Sequence, residues 1–177
     1  MVSSLDGFVS RKDNNISWFE TRDHYEEGAE YTEQQTNEFL ETIDCYVMGA
    51  RTYEQAAELS KSYGWPYGNV PTIVMTHKNL QEIRPNIEFF SGDLNRLWKE
   101  KLEPNYRNIW VVGGPELVNE FLRLQLVHEI RVSILPVMLG QGIPFFKAID
   151  QEQALHLKNV TAYKTGIVEL LYQMKKE

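Results

Sequence analysis

The sequence predicts an α/β fold in which helices cover both faces of a sheet. Three observations predict it. Short apolar runs alternate with amphipathic helical stretches, several of those runs stop on a glycine or a small polar residue just ahead of a helix start, and no linker-like Gly/Ser/Pro stretch or internal repeat divides the chain. At 177 residues the chain fits one domain and can bury a full core without staples.

Taken in order, residues 32–42 read as a helix. Thr32 is placed to cap it, Gln35 completes a capping box, and Phe39, Leu40 and Ile43 form an apolar stripe. Residues 45–48 are a short strand stopped at Gly49, and residues 51–62 are helical with Ala56, Ala57 and Leu59 turned to the core. Buried strands follow at residues 72–76 and 87–90. Asp93 caps a helix running through Leu102, with Leu94, Leu97 and Trp98 as its inner face. Ile109-Trp110-Val111-Val112 reads as the clearest buried strand, and it leads through Gly113-Gly114-Pro115 into a helix bearing Leu117, Val118, Phe121 and Leu122. Residues 128–135 alternate Ile130, Val132 and Ile134 with Arg131 and Ser133, the pattern of a strand with unlike faces. Residues 166–174 close the chain as a last strand.

Composition narrows the function classes. An apolar content of 42% with 12% aromatics argues against disorder. The formal net charge of −7 disfavours general nucleic-acid binding, while leaving room for a phosphorylated cofactor held by a few local donors. No run approaches the roughly 20 apolar residues of a membrane span, and the first residues lack the basic-then-apolar pattern of a signal peptide, so a soluble, cytoplasmic protein is expected. Cys45, the single cysteine, is expected as a buried reduced thiol. His24, His77, His128 and His156 show no metal-ligand spacing, so no metal is expected.

Three strand ends carry residues suited to phosphates. Gly113 and Gly114 let backbone approach a ligand closely, and Pro115 presets the first helical turn. The N–H groups of Glu116 and Leu117 then face an anion with the positive end of the helix dipole. Gly-Gly-Pro is also ordinary punctuation between strand and helix, and Glu116 adds negative charge there. Gly49-Ala50-Arg51-Thr52 repeats the arrangement with a cation and a hydroxyl, and a cation at a helix start calls for a compensating anion. Thr76-His77-Lys78 brings a hydroxyl, an imidazole and an ammonium to the third strand end, where a solvated loop is the plainer account. Gly140-Gln141-Gly142 lacks the third glycine of a dinucleotide fingerprint and reads as a turn.

Read together, Ser4-Leu5-Asp6-Gly7, the segment 48–54, Val112-Gly113-Gly114-Pro115, the segment 135–142 and the segment 166–172 resemble the dihydrofolate reductase-like family. The branch they most resemble is the reductase domain of the bacterial bifunctional deaminase–reductase of riboflavin synthesis and its stand-alone relatives. The resemblance implies a three-layer αβα fold around a mostly parallel mixed sheet, with NADPH lying across the strand ends, and a homodimer. Gly49, Arg51 and Thr52 then correspond to a first phosphate turn, Thr76 and His77 to the adenosine and 2′-phosphate end, and Gly113 to Leu117 to the diphosphate turn. Ala50 stands where many relatives carry arginine, which leaves Arg51 and Thr76-His77-Lys78 to select NADPH over NADH.

The implied activity is reduction of a small pyrimidine or pterin-like ring, most like 5-amino-6-(5-phosphoribosylamino)uracil. Dihydrofolate reduction is the alternative within the class, and a non-catalytic nucleotide-binding or dimerisation module is the alternative outside it. Glu33 falls near the family's acidic substrate-binding position and is the candidate proton donor, with Ser133 opposite it; a first-turn glutamate that favours the helix dipole is the other account. Asp6 is a second acidic candidate, in a dipeptide that is also common turn chemistry. Trp18 either closes over the substrate ring or packs in the core.

Overall fold

The computed structural model describes residues 1–148 and 152–175. In chain order its first elements are β1 (Val2–Ser4), β2 (Phe8–Ser10), a 3-10 turn at Ser17–Phe19, α1 (Glu33–Glu41), β3 (Cys45–Gly49), α2 (Ala50–Tyr63), β4 (Thr72–Met75) and β5 (Ile87–Phe90). Then come α3 (Leu94–Leu97), a π-helical turn at Trp98–Leu102, α4 (Glu103–Asn105), β6 (Ile109–Gly113), α5 (Pro115–Arg123), β7 (Glu129–Leu135), β8 (Ile143–Pro144), β9 (Leu155–Ala162) and β10 (Val168–Met174). These pack as two compact units, one of Met1–Glu33 with Phe121–Glu177 and one of Gln34–Glu120.

The Gln34–Glu120 unit holds a sheet of order β5-β4-β3-β6 in which every pairing is parallel. A parallel sheet buries both faces of its inner strands, and β3 shows this: Cys45, Tyr46, Val47 and Met48 are all buried. The expected buried strand, Ile109 to Val112, is only half-buried, because β6 lies at the edge of this sheet. Asp44 anchors that edge, its carboxylate accepting the Arg107 and Asn108 N–H groups at 2.9 and 3.0 Å. Burial pushes the neighbouring Cys45 thiol up to about 12. The core gathers Tyr46, Met48, Tyr53, Val74 and Ile87, with Trp65, Tyr67, Phe89 and Trp110 around them. On α2 the inward positions are Tyr53 and Ala56, whereas Leu59, expected inside, is 46% exposed. The Tyr53 hydroxyl, brought to the edge of the core, donates to the Gln81 carbonyl at 2.5 Å. Asp93 caps α3 as expected, accepting from Arg96 N–H at 2.9 Å, and Leu94 and Leu97 are buried. The helical path continues past Leu102 to Asn105, widening where Pro104 supplies no N–H.

The other unit holds a mixed sheet of order β1-β7-β10-β9, with β1 parallel to β7 and the remaining pairings antiparallel, beside a small antiparallel β2–β8 pair. The two segments Ser4–Gly7 and 135–142 are clasped together here. Leu5 N–H donates to the Val137 carbonyl at 2.8 Å, and Phe145 N–H to the Gly7 carbonyl at 2.8 Å. Gly142 has to be glycine for space, since a Cβ there would overlap the Ser10 carbonyl oxygen and press on Phe8. The mixed α/β class with a parallel sheet is the one expected from the sequence. Strand β9 was not expected, because its apolar residues Leu155, Leu157, Val160 and Ala162 break simple alternation.

Candidate functional site

The C-terminal ends of β3 and β6 lie side by side, and each runs directly into a helix. Gly49 caps α2 with no side-chain bond, and that helix has no acidic residue in its first turn. Its first N–H groups have no carbonyl one turn back and are left to a ligand or to water. Gly113 sits at φ +142, backbone that side chains rarely adopt, and the Gly113–Gly114 peptide is cis. The two turns touch. A Cβ on Gly49 would stand 3.7 Å from Gly114 N, and one on Gly114 would stand 3.6 Å from Thr52 Oγ1. Gly49, Thr52, Gly113 and Gly114 thus form one bare cradle between two helix starts, with Pro115, Glu116 and Leu117 opening the second helix. Arg51 is exposed beside it and has no ion-pair partner among the described residues. Two helix starts, the second bearing Glu116, and a guanidinium unpaired among the described residues make this a candidate anion-binding corner.

The ends of β4 and β5 continue the row. Thr76 N–H donates to the Phe90 carbonyl at 3.0 Å, and Thr76 Oγ1 accepts from Lys78 N–H at 2.9 Å. His77 Nδ1 and Ser91 Oγ lie 2.9 Å apart. Lys78 Nζ is paired with Glu54 at 3.2 Å, and the Arg96 guanidinium stands 5.6 Å over the Phe90 ring. The strand order therefore sets a hydroxyl and imidazole group at one end and the glycine cradle at the other, with Arg51 between. Ser91 and Glu54 were not anticipated. Ser91-Gly92-Asp93 is a fourth strand end of small polar residues ahead of a helix, the same signal that marked the other three.

Asp6, Trp18, Glu33 and Ser133 belong to the other unit. Asp6 is committed locally: its oxygens accept from the Ser4 hydroxyl at 2.6 Å, Leu139 N–H at 3.0 Å and Gly140 N–H at 2.7 Å. The Ser4 hydroxyl first, then the backbone donors, hold its carboxyl below the ordinary carboxylate range. The Asp6 oxygens are thus taken up by the clasp of Ser4 with Leu139 and Gly140. Trp18 is 7% exposed, packs its ring edge-on to Phe19 at 4.7 Å, and its buried Nε1 has no hydrogen-bond partner among the described residues. Glu33 is exposed at the first position of α1, where it favours the helix dipole. Ser133 is half-buried on β7 opposite Val2 and Glu169, and no hydrogen bond joins it to Glu33 among the described residues.

Residues 1–169 match the family described as the RibD C-terminal domain. The chain is 29% identical over 165 residues to the uncharacterized protein YwjB of Bacillus subtilis (strain 168), covering 93% of this chain and 90% of that one. Among solved structures it resembles a putative riboflavin biosynthesis protein from Shewanella sp. PV-4 with a TM-score of 0.81 at 19% identity, over 99% of this chain and 97% of the other. It resembles the diaminohydroxyphosphoribosylaminopyrimidine deaminase/5-amino-6-(5-phosphoribosylamino)uracil reductase of Thermotoga maritima with a TM-score of 0.67 at 15% identity, over 98% of this chain and 55% of that larger one. The fold is the dihydrofolate reductase-like one of those reductase domains. With the match running through both units and through the glycine turns, the chain belongs to the RibD C-terminal domain family.

Proposed function

We propose that the chain is an NADPH-dependent reductase of a small pyrimidine or pterin-like ring, with 5-amino-6-(5-phosphoribosylamino)uracil as the substrate type its family suggests. The observation that carries the reading is the bare cradle between the α2 and α5 starts, flanked by Arg51, which is unpaired among the described residues. The cradle suits a dinucleotide diphosphate because the atoms nearest to Gly49 and Gly114 are backbone and the Thr52 hydroxyl, which leaves room for anionic oxygens near the helix N–H groups. Gly49, Thr52, Gly113, Gly114 and Leu117 hold the diphosphate, with Arg51 beside it, and Thr76, His77 and Lys78 attend the adenosine end. Such a cofactor supplies the hydride for ring reduction. The chain's own part is to bind, orient and deliver the closing proton. Asp6 being committed, Glu33 is the acid assigned to that proton, directly or through water, with Trp18 and Ser133 as substrate contacts.

NADPH in large excess should raise the melting temperature, and Gly114→Glu, which puts a carboxylate into the cradle, should abolish the rise. An unchanged melting temperature for the wild type at saturating NADPH sinks the cofactor reading. Oxidation of NADPH across a panel of pyrimidine and pterin substrates then tests the reductase itself, and binding without turnover on any of them rejects it in favour of a nucleotide-binding module.

A further inference from the structure

Seven aromatic rings of the Gln34–Glu120 unit follow one another in a single row. In order they are Phe39, Trp110, Tyr46, Tyr67, Trp65, Tyr53 and Phe89, with successive centroids 5.2, 5.7, 4.8, 5.1, 6.2 and 5.3 Å apart. Aromatic pairs at these separations hold a core together, and Tyr46 and Tyr53 do so here. The order of ring types carries something that packing does not need. All five inner rings are indoles or phenols, the aromatic side chains that give up a single electron. Both end rings are phenyls, which hold theirs. A hole (a missing electron) placed on any inner ring is therefore confined to those five.

Proton transfer decides where the hole stops. An oxidised indole is a cation that relaxes by losing its N–H proton. Trp65 Nε1 is buried with no hydrogen-bond partner among the described residues, so that proton has no acceptor and the ring keeps a costly buried charge. Oxidised Trp65 thus retains its full pull on a neighbour's electron. A phenol, by contrast, releases its electron together with its proton. Tyr46 and Tyr53 are 1% and 2% exposed, and the Tyr53 hydroxyl is already bonded to the Gln81 carbonyl, which is no base. Tyr67 is half-buried, which gives its proton a way out to water. Burial, and then the neighbouring Tyr46, push the Tyr67 phenol up to about 12, so at rest it is neutral.

We propose that this row is a relay for one-electron oxidants, which takes a hole from Trp65 or Trp110 and delivers it to Tyr67. The oxidant gains one electron from an indole, and the indole regains it from Tyr67. The Tyr67 phenol proton passes to water, leaving a tyrosyl radical that an external reductant such as a thiol or ascorbate can quench. The buried Tyr46 and Tyr53 emerge unchanged. All the rings belong to the chain itself, so the relay stands or falls separately from the cofactor reading.

Pulse radiolysis of the ligand-free protein with the azide radical, which oxidises indole ahead of phenol, tests this. The tryptophanyl absorption should decay as the tyrosyl absorption grows, in a first-order step whose rate does not change with protein concentration. Tyr67→Phe removes one oxygen and keeps the ring, and it should lose that step, while Tyr163→Phe, off the row, should keep it. Thermal melts are the fold control. Spin trapping of the wild type with peptide mass mapping reads the end point even if Tyr67→Phe disturbs folding, and the adduct should lie on Tyr67. A rate that rises with protein concentration overturns the proposal. So does a folded Tyr67→Phe that keeps the step, or an adduct on a tyrosine outside the row.

Discussion

Replacing Arg51 by alanine separates an anion site from an ordinary helix start, because the two accounts differ in sign. Without ligand, Arg51 is a cation in the first turn of α2, unpaired among the described residues and pointing the wrong way for the helix dipole. Removing it should stabilise the free protein by about 0.3–1 kcal/mol. For a chain of this size that is a rise of roughly 1–4 °C in melting temperature. With NADPH at one hundred times its dissociation constant, binding adds about 2.7 kcal/mol to the wild type. Losing a charge-assisted phosphate contact of about 1.5–3 kcal/mol weakens binding by roughly 10- to 150-fold. The same cofactor concentration then contributes only about 0.3–1.3 kcal/mol. The cofactor-induced shift should therefore shrink from roughly 5–11 °C to roughly 1–5 °C while the unliganded baseline rises. Differential scanning fluorimetry of both proteins, with and without NADPH, reads the two changes together. A variant that melts below the wild type when unliganded, or that keeps the full cofactor shift, refutes the assignment of Arg51 to a phosphate.

Two predictions concern the unit that holds Asp6. Gly28→Ala should lower stability by roughly 1–3 kcal/mol, because the added Cβ would overlap Lys164 N and the Tyr163 carbonyl carbon and stand 2.7 Å from the Tyr163 oxygen, all of them backbone. Thermal melts check it, and hydrogen exchange should quicken at Ala29 and Lys164, whose N–H groups bond to the Ala162 and Ala29 carbonyls at 2.8 and 3.0 Å; a variant within a degree of wild type contradicts the packing. The Asp6 carboxyl is held below its unfolded value of about 3.9, so its contribution is present above that pH and is lost as pH falls through the folded value. Urea unfolding of wild type and Asp6→Asn should show a stability gap that is steady near neutrality and closes below about pH 4, and a gap that persists in acid would count against a carboxylate clasp.

What the sequence made legible was what local pattern determines. Strands β3, β4, β5 and β6 lie within a residue of their expected bounds because each is a short apolar run ended by a residue that cannot continue it. Asp93 was readable as a cap for the same reason. Burial was less readable, since it depends on which strand the topology places at an edge: the most apolar run became the half-buried β6, while β3, of equal length, took an inner position. Strand β9 escaped because a bulge, invisible before the partner strand is known, restores an alternation that the residue spacing breaks. Asp6 was correctly placed in a turn, but its acceptor role is settled by N–H groups 133 and 134 residues along the chain. His77 and Ser91 likewise meet only because β4 and β5 are neighbours.

The distribution of ion pairs along the strand ends ranks the cations by what it costs to use them. Lys78 is held by Glu54 at 3.2 Å and Arg96 by Glu100 at 3.0 Å, so either must give up a carboxylate before meeting a phosphate. Those pairs are exposed and worth less than about 1 kcal/mol each, a small cost that still favours the cation that pays none. Arg51 is that cation, and it stands next to the cradle instead of at the far end of the row. In a protein with a net charge of −7, the proposed anionic cofactor would be drawn to a locally positive field, for which two neighbouring helix starts and a guanidinium unpaired among the described residues are the candidates. With alanine at position 50, selection of a 2′-phosphate falls to the more distant Thr76-His77-Lys78 group, whose lysine must first leave Glu54. On the proposed reading, diphosphate binding should outweigh 2′-phosphate selection: loss of Arg51 should cost affinity for NADH and NADPH alike, while loss of Lys78 should cost it for NADPH alone.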